Sequence, residues 1–94
     1  MLEPDKFRYG EIYKFYPRGE DELTAGVYVG KSKRGRGMLI NRNSLRGVCV
    51  HTFDTHNAHL EGNLIQKKDS FFNKHFLSPK EESYALEILN KKSL

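Results

Sequence analysis

Gly47-Val48-Cys49-Val50-His51-Thr52-Phe53 is the stretch on which the fold turns. Val48, Val50 and Thr52 share one parity, and Cys49, His51 and Phe53 share the other. β-Branched residues alternating with a second set fit a pleated strand whose two faces meet different surroundings. The same period of two recurs toward the N-terminus. Gly37 to Asn41 pairs Met38 and Ile40 on one face. Ala25 to Gly30 sets Val27 and Val29 opposite Tyr28. Phe7 to Tyr16 aligns Phe7, Tyr9, Tyr13 and Phe15 against Ile12, Lys14 and Tyr16. Turn chemistry separates these runs: Pro17-Arg18-Gly19 with the polar 18–22 segment, the glycine-containing Lys31 to Gly37, and Asn41 to Ser44.

Toward the C-terminus, Asp54 to Asn57 reads as a turn. His59 to Gln66 is a fifth strand centred on Leu64 and Ile65, interrupted by Gly62-Asn63. Residues 67–77 fit neither period; Phe71, Phe72 and Phe76 are candidates to anchor a loop or helical turn on the core. The end of the chain is helical. Ser78 supplies an N-cap, Pro79 suits the first helical position, and Glu81 completes a capping box. Tyr84, Ala85, Ile88 and Leu89 then form an apolar stripe, with Lys91 and Lys92 where the helix dipole favours cations. Short strands at near-regular spacing followed by one helix predict a mainly β domain. The expected form is a small SH3-like barrel, or a strongly bent antiparallel sheet, of 4–5 strands. One domain spans 1–94, with the sheet over about 7–67 and the helix over about 79–92. An open α+β sheet with one helix is the alternative.

The 94 residues leave room for a thin core, so no cofactor is expected. With 37% hydrophobic and 12% aromatic residues at a net charge of +4, the composition favours an ordered domain over a disordered one. A single cysteine excludes an intramolecular disulfide, and the start of the chain has no basic-then-apolar signal segment. Apolar runs such as Met38 to Ile40 are far shorter than the ~20 residues of a membrane span. These features predict a soluble cytoplasmic protein.

The charge is unevenly placed. Residues 23–53 contain no Asp or Glu, yet hold Lys31, Lys33, Arg34, Arg36, Arg42 and Arg46. Clustered cations beside glycines suit phosphate, and a neighbouring aromatic such as Tyr28 can stack on an unpaired base. These seven residues are the candidate nucleic-acid site. The acidic Glu20-Asp21-Glu22 knot reads as a solvated turn, since consecutive carboxylates rarely converge on one ion. Cys49, His51, His56 and His59 invite a zinc reading, but their spacing matches no common zinc pattern; the thiol is expected in the core and the histidines on a turn.

Three short motifs resemble nuclease families. His56-Asn57-Ala58-His59 is similar to HNH letters, without the helix that family places after them. Gly10-Glu11-Ile12-Tyr13 resembles the opening strand of MazF/PemK-type toxin endoribonucleases, over residues 9–16. Thr24-Ala25-Gly26-Val27 stands where that family has an Arg-Pro strand start, so no active-site residue carries over. Ile12-Tyr13 with Tyr28-Val29-Gly30 is similar to GIY-YIG, with Glu11 in place of the first glycine.

Three functions follow. The first is a small non-catalytic domain that binds RNA or DNA through the basic 31–46 surface. The second is a protein–protein module, an inhibitor or adaptor of phage or mobile-element type, docking an acidic partner. The third is a small endoribonuclease using His51, His56 or His59 as acid or base.

Overall fold

The computed structural model describes residues 6–43, 47–67 and 72–92. Its strands are β1 (Ile12–Phe15), β2 (Thr24–Lys31), β3 (Gly37–Asn43), β4 (Gly47–Phe53), β5 (Ala58–Glu61), β6 (Leu64–Lys67) and β7 (Asn73–Phe76). A short 3-10 turn, Thr55–Asn57, precedes β5, and the helix α1 spans Pro79–Lys92. All strands join one sheet in the order β5-β6-β1-β2-β3-β4-β7. Pairing is antiparallel except between β1 and β6, where Lys14 lies beside Leu64 in parallel.

This corrects the barrel expectation. The sheet has seven strands and is open, ending at β5 on one side and β7 on the other. One of the two strands beyond the expected five has a local cause. Gly62, with a φ of 64°, and Asn63 form a two-residue hairpin loop that divides the expected fifth strand into β5 and β6. The other, β7, comes from the unassigned 67–77 segment.

The sheet is nevertheless strongly curled. Strands β1 and β4 lie three places apart, about 14 Å in a flat sheet, yet the rings of Phe15 and His51 meet at 5.0 Å. Gly26 on the intervening β2 makes this crossing feasible. A Cβ there would lie 3.1 Å from the Phe15 ring and 3.2 Å from Leu39. Within the curl sits an aromatic cluster of Phe7, Tyr13, Phe15, Tyr28, Phe53 and Phe72, closed by Leu39, Ala58 and Ile65. Phe7 bridges it, edge-on to Tyr13 and Phe53 and stacked on Tyr28.

The opposite face carries Val27, Ile40 and Val48, covered by Ala85 and Leu89 of α1. Ser78 and Glu81 make the expected reciprocal cap: Ser78 N donates to Glu81 Oε1 at 3.2 Å, and Glu81 N donates to Ser78 Oγ at 3.4 Å. The apolar stripe is shifted from the expected one. Tyr84 is 63% exposed, and Leu86 packs on the cluster instead. Phe72 is a core anchor as expected, Phe76 is 49% exposed, and Phe71 lies outside the described residues.

Candidate nucleic-acid interface

The basic turn is a hairpin connection between β2 and β3 with its own hydrogen bonds. Ser32 N donates to Arg36 O at 2.7 Å, and Gly35 N to Ser32 O at 2.9 Å. Gly35 holds a φ of 77°, a conformation that side chains disfavour. Arg36 is tied down onto β4: its guanidinium donates to the Thr52 carbonyl at 3.0 Å and approaches Thr52 Oγ1 at 3.4 Å. The turn is thus held against the sheet, and Lys33 and Arg34 stand exposed at its tip.

The turn forms one wall of a groove of about 410 Å³ lined by Ser32, Lys33, Arg34, Arg36, Thr52, Asn73 and His75. Strand register explains the far wall. Val50 faces His75 and Thr52 faces Asn73 across the β4–β7 pair, so these residues share the face that α1 partly covers. Among the described residues no carboxylate lines the groove. Three permanent cations, one imidazole, two hydroxyls and one amide converge on one concavity, a chemistry suited to phosphate oxygens.

The seven predicted site residues therefore separate. Lys33, Arg34 and Arg36 come together. Lys31, at the end of β2, flanks the turn without lining the groove. Arg42 lies beside the helix, donating to Asn90 Oδ1 at 3.1 Å. Arg46 lies outside the described residues. Tyr28 is 2% exposed, its ring packed against Phe7 and Tyr13, so it offers no face to a base. That placement removes it from the site: its parity, opposite Val27 and Val29, is the inner face of the curl. Thr52, Asn73 and His75 were missed. Asn73 and His75 alternate with Lys74 and Phe76, but four residues are too few for a period to show.

Cys49, His51, His56 and His59 do not converge either. His56 lies in the 3-10 turn and His59 on β5, both exposed. Cys49 and His51 point into the curl, where Asn41 of β3 joins them. The Cys49 thiol donates to Asn41 Oδ1 at 2.8 Å, and His51 Nε2 lies 3.1 Å from the same oxygen. A carboxamide oxygen only accepts, so Nε2 carries the imidazole proton. Nδ1 is buried, with no hydrogen-bond partner among the described residues. Burial, aided by the charge of Lys74, pulls His51 down to about 4, and burial pushes the Cys49 thiol up. At neutral pH the cluster is an uncharged thiol, imidazole and amide. Among the described residues no group of three or more His, Cys, Asp or Glu side chains is placed to hold a metal ion, and no helix is long and apolar enough to cross a membrane.

Comparison with known proteins matches no family model, no curated protein and no solved structure.

Proposed function

We propose that the protein is a small non-catalytic nucleic-acid-binding domain that grips phosphate in the groove between the 31–37 turn and strands β4 and β7. The observation that carries this reading is the convergence of Lys33, Arg34, Arg36 and His75 on one concavity furnished with hydroxyl and amide groups and with no carboxylate among its described lining residues. The non-catalytic part rests on the groove's described lining holding a single imidazole, His75, while the buried His51 stays neutral at pH 7 and His56 and His59 sit on separate elements. Three cations in the groove give a log–log salt slope of about −3 on duplex DNA or about −2 on a single strand, shallower than six cations acting together would give. The test is fluorescence-anisotropy titration over a salt series, with wild type beside Arg34→Ala. The expected result is that slope, reduced by about 1 in the variant. Binding that is absent, or equal in the two proteins, overturns the reading.

One observation favours an acidic protein partner as the second reading. Strand β7 ends the sheet and also supplies Asn73 and His75 to the groove. An extended acidic segment added beside β7 would meet the same cations. A pull-down partner that survives nuclease treatment and is lost in Arg34→Ala distinguishes this case.

A further inference from the structure

The geometry points to Ser32 as a phosphorylation site whose phosphate fills the groove and releases bound nucleic acid. This rests on the nucleic-acid reading above and gives that site a means of regulation. Ser32 lines the groove together with Lys33, Arg34 and Arg36. In sequence it stands within Lys31-Ser32-Lys33-Arg34-Gly35-Arg36, with a cation on either side. Such a flank complements a serine kinase whose substrate cleft is acidic. The segment is a turn at the surface, and surface turns open locally at less cost than paired strands.

The hydroxyl is placed so that the turn keeps its bonds after modification. Ser32 Oγ accepts a hydrogen bond from Arg36 N at 3.2 Å. The Ser32 backbone donates to Arg36 O and accepts from Gly35 N. None of these three bonds uses the hydroxyl proton. In the transfer, the Oγ–phosphorus bond forms as the bond from the γ-phosphorus of a nucleoside triphosphate to its bridging oxygen breaks. The diphosphate leaves with that electron pair, and the hydroxyl proton passes to the kinase's base.

The new group then meets the cations the groove already holds. Lys33, Arg34 and Arg36 supply three positive charges. A phosphoserine adds about −1.5 to −2 at neutral pH, which leaves about one. Guanidinium groups match phosphate oxygens in geometry as well as charge. The phosphate is also tethered beside them, at an effective concentration on the order of millimolar. It occupies the cations ahead of a nucleic acid present at lower concentration.

The experiment treats the full chain with magnesium ATP and a purified serine kinase selective for basic flanks, and maps the product by mass spectrometry. Treated and untreated proteins are then compared by anisotropy titration with labelled DNA and RNA over a salt series. The expected product carries phosphate on Ser32 and binds at least tenfold more weakly. Its log–log slope on duplex DNA falls from about −3 to about −1. Ser32→Ala taken through the same treatment should keep full affinity, which assigns the loss to this serine. Phosphorus NMR gives a readout independent of nucleic acid. The second ionisation of the phosphoserine should lie below its usual value of about 6, and the Lys33→Glu/Arg34→Glu pair should return it to that value or above. Both residues are exposed at the turn tip, so the fold should tolerate the change. Ser32 left unmodified, or a phosphorylated chain that binds as tightly as the untreated one, overturns the inference and leaves the nucleic-acid reading standing. An untreated chain without salt-sensitive binding overturns both.

Discussion

His51 shows what a single buried side chain does to the energetics of this fold. Its ring is 1% exposed, edge-on to Phe15, and it holds its proton on Nε2 toward Asn41. Protonating Nδ1 would bury a charge beside the Lys74 ammonium, which is why its pKa is lowered to about 4 from 6.5. The unfolded chain therefore binds a proton between about pH 6.5 and 4 that the folded chain refuses. Stability is full above that window and falls as the pH drops through it, by about 3 kcal/mol in total from this group. Urea unfolding at stepped pH should show the fall. Imidazole NMR should show His51 still neutral, with its proton on Nε2, at pH 5. A His51 that titrates near 6.5 would contradict the buried geometry. Gly37 makes a second argument at this scale. A Cβ there would lie 2.7 Å from Thr55 Cγ2 and 2.8 Å from the Phe53 ring. Gly37→Ala should destabilise by about 1–3 kcal/mol through overpacking, measurable by urea denaturation. An unchanged midpoint would mean the base of the basic turn is loose.

At the scale of the element, the start of α1 is specified locally. The Ser78–Glu81 reciprocal bonds satisfy backbone donors that the first turn leaves orphaned, and the Ser78 bonds hold the Glu81 carboxyl below its usual range. Ser78→Ala should cost about 1 kcal/mol, a fall of roughly 4–8 °C in the melting temperature of a domain this size. No change would show that packing of Ala85 and Leu89 alone sets the helix. Such local chemistry is why the helix, and strands β2, β3 and β4, were legible in the sequence. Each carries enough residues for its period or its cap to register. β7 has four, all exposed, and takes its strand form from pairing with β4. The Gly62-Asn63 pair read as a flaw in one strand because a hairpin loop and a strand defect use the same residue types.

At the scale of the molecule, the strand spacing predicts a strongly bent sheet or barrel, but the contact that curls the sheet is not local. The curl depends on Phe15 crossing Gly26 to reach β4, a contact between residues far apart in the chain. Closure was equally hidden, since nothing local states whether the last strand returns to the first. The candidate site was half legible for the same reason. Lys33, Arg34 and Arg36 are neighbours in sequence, whereas His75 and Asn73 join them only through the β4–β7 register. Tyr28 was misplaced because parity says which residues share a face but not which face is sealed.

The sheet gathers these cations on one wall, so the folded state should bind anions that the unfolded chain holds only weakly. Binding to the native state alone stabilises by RT ln(1 + [L]/Kd), about 2.7 kcal/mol at a hundredfold excess over Kd. Inorganic phosphate or sulfate should therefore raise the melting temperature more than chloride at equal ionic strength. General salt effects on hydration also stabilise proteins, so the comparison needs the Lys33→Glu/Arg34→Glu variant in the same buffers. The wild type should gain several degrees more than the variant, and the excess should saturate with anion concentration. An equal gain in both proteins would assign the effect to bulk solvent and leave the groove without affinity for phosphate. A saturable excess in the wild type alone would place anion binding at the turn tip, whichever macromolecule supplies the phosphate.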